Sequence, residues 1–194
     1  MKRRIRITRL LLRLSLVAFM SPGFAGQAQT PRVHEEARDF KTFADRVQAY
    51  VRMQEGLKAS LPALNPTKDA ARIIEHQHAL ARKIADARRD ARQGEIFTPE
   101  VAARFRKIID STLRGPEGRL VRKTIRPDSP NKVIVLHVND VYPEEIPLTT
   151  TPPTLLLKLP KLPQELTYRI VGHDLTLQDT EARLIVDLIP NAIR

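Results

Sequence analysis

Three stretches of the chain repeat their apolar residues at helical spacing. Residues 35–61 carry one stripe with intervals of three, four and seven, which predicts an amphipathic helix (Phe40, Phe43, Val47, Tyr50, Val51, Leu57 and Leu61). Residues 68–93 carry a narrower seam of the coiled-coil kind (Ile73, Gln77, Leu80, Ile84, Ala87 and Ala91), with Thr67 predicted as its N-cap and Gly94 as its C-cap. Residues 98–114 form the third predicted helix, in which Thr98 is the N-cap and Pro99 the first helical residue.

The C-terminal half has a different pattern. Residues 133–138 are a β-branched apolar run that predicts a buried strand, and residues 143–163 contain six prolines that predict an extended arm. Residues 168–177 alternate and bend at Gly172, and residues 183–189 return after a turn at 178–181, which predicts an antiparallel hairpin. The sequence therefore predicts an α+β fold: an N-terminal three-helix layer (29–115), then a proline-rich arm and a small C-terminal hairpin or sheet (116–194), all in one folded domain.

The first 28 residues have the order of an export signal. Five basic residues precede an apolar run at 10–20, a Ser-Pro-Gly break follows, and small residues stand at Ala25 and Ala28. This order predicts a secretory signal peptide cleaved near Ala25 or Ala28, and hence a periplasmic or secreted protein. The apolar run is shorter than the roughly 20 residues of a membrane span, although an uncleaved signal anchor stays an alternative.

Composition narrows the chemistry. The chain has no cysteine, which excludes disulfides, thiol catalysis, iron–sulfur clusters and thiolate zinc sites. Phosphate-loop and dinucleotide motifs are also absent from a sequence with seven glycines, so no cofactor and no metal site is predicted. The formal net charge is +11, but six basic residues belong to the leader, and the chain from Gln29 onwards carries a net charge of +5.

The remaining positive charge is concentrated in residues 82–126, which hold 13 lysines and arginines against six acids. Such a block attracts anionic headgroups, lipopolysaccharide or an acidic protein, and its scarcity of aromatic residues argues against nucleic acid. The sequence thus predicts a non-enzymatic binding or structural protein of the envelope or periplasm. The residues predicted to bind the anionic partner are Arg88, Arg89, Arg92, Arg104 and Lys107.

Four alternatives remain open. A small hydrolase would use His137 with a nearby carboxylate (Asp140, Glu144 or Glu145), and a metal-handling protein would need its histidines to converge in space (His34, His76, His78 and His173). The C-terminal aspartates (Asp174, Asp179 and Asp187) are a further candidate carboxylate site. Asp174 and Asp179 are, however, better explained as turn residues. The seam at 73–91 also leaves room for a homodimer through the helices.

Two segments carry a resemblance to known proteins. Residues 91–101 (ARQGEIFTPEV) and 168–175 (YRIVGHDL) resemble an uncharacterised family of exported bacterial proteins, a resemblance that implies no activity. The C-terminal hairpin is also similar to that of RcnB-type periplasmic nickel/cobalt-homeostasis proteins, over about 30 residues. The long N-terminal helices depart from that second group, so the resemblance implies no metal role here.

Overall fold

The structure is a computed structural model that describes residues 30–115, 118, 135–142 and 151–193. Its helices are α1 (Thr30–Ala59), α2 (Ala70–Ala87), α3 (Pro99–Leu113) and the short α4 (Pro153–Leu156). Its strands are β1 (Leu166–Val171), β2 (Asp174–Asp179) and β3 (Ile185–Ile189). The fold class is α+β, as predicted, while the leader at 1–28 lies outside the described residues. No helix in the described part of the chain is long and apolar enough to cross a membrane.

The helix starts follow local capping chemistry. Thr98 caps α3 as predicted, because its hydroxyl accepts the Val101 N–H and Pro99 is the first helical residue. The α2 cap is Asp69, whose carboxylate accepts the Ala71 N–H at 3.0 Å, while the predicted cap Thr67 accepts the Asp69 N–H instead. Helix α2 ends at Ala87, earlier than predicted, so Gly94 (φ +89°) belongs to the α2–α3 connection and not to a helix cap.

The predicted seam of α2 is an internal packing face. Leu80 and Ile84 are completely buried in the main core of the chain, and Ile73 and Gln77 are half-buried. Leu80 and Ile84, in the middle of the seam, are therefore not available to a second chain in the described fold. The apolar seam of α2 is narrow because this helix packs against the rest of the protein on one side only.

The sheet is a three-stranded antiparallel meander in the order β1-β2-β3. Tyr168 lies opposite Leu177 in the first pair, and Leu177 lies opposite Asp187 in the second, with an irregular register between Leu177 and Gln178. Gly172 takes a φ of +58° in the turn between β1 and β2, a conformation that glycine adopts without steric cost. The predicted C-terminal hairpin is confirmed.

Both faces of the sheet are covered. One face packs on the helices in a single core that includes residues from α1, α2, α3 and all three strands, with Phe105 at the centre of an aromatic group (Phe40, Phe43, Phe97 and Tyr168). The other face packs on residues 135–142 through a smaller cluster (Leu136, Tyr142, Val171, Ile185 and Leu188). Strand β3 is consequently buried at every position.

Two predictions about the middle of the chain need correction. The strand predicted at 133–138 is absent over its described part, because Asp140 accepts the His137 N–H at 2.8 Å and closes a turn in which Asn139 has a φ of +70°. Only Val141 then makes a single bridge, to Leu184. The arm is not extended throughout, since Pro153 stands at the first position of α4, where a missing N–H has no cost.

Candidate functional site

The five residues predicted to bind an anionic partner do not form one surface. Arg89, Arg92 and Lys107 are exposed, whereas Arg88 and Arg104 are engaged inside the protein. The distinction between them depends on contacts made by residues far away in sequence. The contacts of the two engaged arginines hold the elements that carry the exposed residues.

Arg88 immediately follows α2, and its side chain is only 9% exposed. Its guanidinium donates to the Val186 carbonyl at 3.0 Å, to Asn139 Oδ1 at 3.2 Å and to Glu95 Oε2 at 2.9 Å. The same group lies over the ring of Tyr50, 5.2 Å from the centroid. In return, Asn139 Nδ2 donates to the Arg88 carbonyl at 2.8 Å. The Arg88 charge therefore joins α1, α2 and β3, and it is not presented to a partner.

Arg104 lies in a groove of about 470 Å³ between α1 and α3. Its Nε donates to Asp39 Oδ2 at 3.0 Å, and a terminal nitrogen lies 3.8 Å from Glu35 Oε2. Lys107 lines the same groove, which has equal numbers of basic and acidic side chains (Arg38, Arg104 and Lys107 against Glu35, Asp39 and Glu100). The groove is therefore close to electrically neutral.

Glu100 contributes a firm negative charge to that groove. It stands in the first turn of α3, where a hydrogen bond from its own backbone N–H and one from Thr98 lower the pKa of its carboxyl. An ionised Glu100 beside Lys107 weakens the attraction of the groove for a free anion. The groove is thus a poor candidate for the predicted anion site.

Arg89 and Arg92 lie in the connection between α2 and α3, and both are exposed. Within the described residues neither guanidinium forms an ion pair, and the only hydrogen bond of the two is from Arg89 Nε to the Asp86 carbonyl. Their charge is therefore available to a partner. These two residues are called the exposed arginine pair below.

The connection that carries the exposed arginine pair is fixed to the sheet by Asp187 of β3. Asp187 Oδ1 accepts the N–H groups of Gly94 (2.9 Å) and Leu188 (2.8 Å), and Oδ2 accepts those of Ile96 (2.7 Å) and Phe97 (2.8 Å). The side chain is completely buried. A buried carboxylate with four backbone donors is well satisfied, because ionised carboxylates only accept hydrogen bonds. Asp187 consequently orders the connection and has no room for a substrate.

The other two C-terminal aspartates are also used internally. Asp179 Oδ1 accepts the N–H groups of Glu181 (2.9 Å) and Ala182 (2.7 Å), and its Oδ2 accepts the Tyr50 hydroxyl at 2.8 Å. Burial raises the pKa of both Asp179 and Tyr50. Asp174 Oδ1 accepts the Asn191 N–H at 2.8 Å. The three aspartates therefore brace turns and connections, in three separate places.

The predicted hydrolase pair does come together, since His137 Nδ1 lies 3.2 Å from Asp140 Oδ2. Both side chains are largely exposed, and the same carboxylate oxygen accepts the His137 backbone N–H, which is the signature of a turn. Neither residue lines the groove between α1 and α3. Glu144 and Glu145 lie outside the described residues.

The histidines named as a possible metal site lie apart. His76 Nε2 is 3.9 Å from Glu181 Oε1, and His173 Nδ1 contacts the Ile193 carbonyl at 3.0 Å, while His34 and His78 are exposed. Among residues 30–115, 135–142 and 151–193, no group of three or more His, Asp or Glu side chains is placed to hold a metal ion.

Comparisons of the chain with protein-family models, with curated proteins and with solved structures gave no match. The resemblances to exported bacterial proteins and to the RcnB-type hairpin therefore stay predictions.

Proposed function

We propose that this chain is an exported, non-enzymatic binding or structural protein of the bacterial envelope or periplasm that recognises an anionic partner through the exposed arginine pair. The observation that carries the proposal is the pair itself: Arg89 and Arg92 are exposed, and no carboxylate in the described residues pairs with them. The export part of the proposal is supported by the order of basic, apolar and small residues in 1–28.

The setting of the exposed arginine pair supports a binding role. Three of the N–H groups that Asp187 accepts, those of Gly94, Ile96 and Phe97, act together with the Arg88 contacts to fix both ends of the short connection. An ordered backbone loses less conformational entropy on binding than a mobile one, so two arginines on a fixed connection are partly preorganised. Arginine also presents a planar fork that suits carboxylate and phosphate oxygens.

The proposal differs from the set of five residues predicted from sequence. Arg88 is excluded because its guanidinium is internal, and Arg104 because Asp39 and Glu35 already neutralise it. Lys107 is exposed, but it shares its groove with Glu100. Among the described residues, Asp86 and Asp90 form no ion pair with the exposed arginine pair, and Glu95 is bound to Arg88.

The test is fractionation of the native host that produces the tagged full chain, with a high-salt wash of the membranes followed by detergent. We expect the chain in the envelope fraction, released by salt, because exposed ionic contacts are screened. We expect a larger share of Arg89→Glu/Arg92→Glu than of the native chain in the soluble fraction before the wash. The matched control is Lys68→Glu/Arg72→Glu, an equal charge reversal at exposed residues at the other end of α2.

Two outcomes would overturn the proposal. One is an unchanged distribution of the Arg89→Glu/Arg92→Glu variant, and the other is an equal shift of the control variant, which would indicate net charge and not a site. The mass of the recovered chain tests the export step separately, because cleavage after Ala25 or Ala28 removes the leader and a signal anchor retains it.

A further inference from the structure

A pair of adjacent leucines stands out on the surface. Leu157 is 86% exposed, the largest value among the large hydrophobic residues that the structure describes, and its neighbour Leu156 is 42% exposed. A single exposed leucine is ordinary on a protein surface, but adjacent apolar side chains on an ordered element mark contact surfaces. The pair lies at the end of α4, within a segment that runs from Thr151 to Pro163.

The leucines are exposed although their segment is firmly attached. Leu155 and Leu159, on either side of them, are buried in the main core. The Leu157 N–H donates to the Pro153 carbonyl at 3.0 Å, and the Tyr168 hydroxyl donates to the Pro160 carbonyl at 3.1 Å. The chain therefore turns Leu156 and Leu157 outward at a fixed place. Their exposure does not result from a loose end.

The surroundings of the pair are basic. Lys158 and Lys161 are exposed, and the described segment 151–164 contains no acidic residue. A shallow groove of about 280 Å³ continues the apolar surface from Leu156 past Lys161 to Leu162. Lysines next to exposed apolar side chains are typical of segments that lie at a lipid surface, where the amines stay with the headgroups and the apolar groups go deeper.

We propose that Leu156 and Leu157 insert into the surface of an anionic lipid bilayer, with Lys158 and Lys161 against its phosphates. Segment 151–164 has lysines and no acid, so its charge is complementary to anionic headgroups. The two exposed leucines gain from the apolar interior of a bilayer, whereas a free phosphate ion would offer them no contact. This lipid contact uses residues separate from the exposed arginine pair, and it does not depend on the function proposed above.

The absence of cysteine makes a site-specific test clean. Leu157→Cys is made in the full chain, purified from its native host and labelled with an environment-sensitive nitrobenzoxadiazole fluorophore. The matched control is Leu64→Cys, an exposed leucine in the connection between α1 and α2. Because each label reports its own surroundings, any contact of the N-terminal leader with lipid does not affect the comparison. Circular dichroism checks that both labelled proteins are folded.

We expect the label at position 157 to brighten and shift to the blue with vesicles of phosphatidylcholine and phosphatidylglycerol in equal parts. Phosphatidylcholine alone should give a much smaller change, and the label at position 64 none. Adding Lys158→Glu/Lys161→Glu should weaken binding by at least about tenfold, since each lysine contributes to the attraction of an anionic surface.

Three results would overturn the lipid contact. They are no change at position 157 with anionic vesicles, an equal change at position 64, and a change that requires envelope proteins in place of lipid. Arg89→Glu/Arg92→Glu in the same labelled chain should leave the response at position 157 intact. A failure of the lipid contact is thereby distinguishable from a failure of the proposed arginine pair.

Discussion

Two completely buried aspartates on the same small sheet accept hydrogen bonds from different kinds of donor. Asp187 on β3 is surrounded by backbone N–H donors alone, four of them, from the α2–α3 connection and from Leu188. Asp179 at the end of β2 accepts two backbone N–H groups and one side-chain hydroxyl, from Tyr50 of α1. Asp187 attaches the α2–α3 connection, which carries the exposed arginine pair, to the sheet. Asp179 attaches helix α1 to the turn at Glu181 and Ala182.

The difference shows that burial alone does not decide what an aspartate does for a fold. At Asp179 burial outweighs the hydrogen bonds and raises the pKa of the carboxyl, so the folded state favours the protonated form more than the unfolded chain does. A neutral group can replace such a carboxyl at little cost. Asp187 accepts twice as many backbone donors, and a replacement with fewer acceptor sites leaves donors unpaired.

The largest expected effect follows from removing half of the Asp187 acceptors. Asp187→Asn puts an NH₂ group where one oxygen now accepts two backbone N–H groups, and we expect it to lower the free energy of unfolding by about 3 kcal/mol or more. Urea denaturation of the full chain at neutral pH measures this. A loss below about 1 kcal/mol would show that the comparison between the two aspartates is wrong.

The next effect separates two neighbouring arginines. Arg88→Lys keeps the charge but cannot reproduce the contacts to Val186, Asn139 and Glu95 together, so we expect a loss of about 2 kcal/mol in the free energy of unfolding. Arg89→Lys is the matched control, and its exposed side chain should change stability by less than about 0.5 kcal/mol. Equal losses of unfolding free energy in Arg88→Lys and Arg89→Lys would contradict the conclusion that Arg88 is internal and Arg89 is exposed to a partner.

These two arginines also show the limit of sequence-based prediction. Helix faces, the Thr98 cap and the C-terminal hairpin depend on neighbours in sequence, and their patterns predicted them. The internal role of Arg88 depends on Asn139 and Val186, which are 51 and 98 residues away, and no local pattern distinguishes it from Arg89. The strand predicted at 133–138 is absent over 135–138 for a related reason, because a side-chain contact of Asp140 overrides the β-branched pattern.

One signal in the sequence did point to the Asp187 attachment. Asp187 is the sole charged residue in Ile185–Ile189, and an acid in the middle of an apolar strand needs buried partners. The sequence could not say that those partners are N–H groups of Gly94, Ile96 and Phe97, since the backbone of a connection carries no composition signal. The sequence therefore predicted the candidate site as a concentration of basic residues. It did not predict which of these arginines are internal and which are exposed.

A smaller effect of opposite sign is expected at Gln54, which lies one helical turn after Tyr50 on α1. Its side chain is almost completely buried, and neither amide atom has a hydrogen-bond partner among the residues that the structure describes. Gln54→Met removes that unpaired amide at similar volume and should raise the free energy of unfolding by about 1 kcal/mol. Gln48→Met, an exposed position on the same helix, is the control and should change little. A destabilised Gln54→Met would indicate that a buried water completes the amide.

The smallest expected effect is that of Asp179→Asn. It tests the comparison between the two aspartates most sharply, because it depends on pH. In Asp179→Asn the side-chain oxygen still accepts the Glu181 and Ala182 N–H groups and the amide donates to Tyr50, so we expect a change within about 1 kcal/mol at neutral pH. The folded state raises the Asp179 pKa above its unfolded value near 4.

The stabilisation from protonated Asp179 is therefore fully present below about pH 4 and is lost as pH rises through the folded pKa. Asparagine does not titrate, so the stability of the native chain relative to Asp179→Asn should fall as pH rises over that interval. Urea denaturation of both chains at several pH values measures the difference, in which the other titrating groups cancel. A difference that stays constant, or that grows in favour of the native chain as pH rises, would mean that burial does not outweigh the hydrogen-bond donors at Asp179.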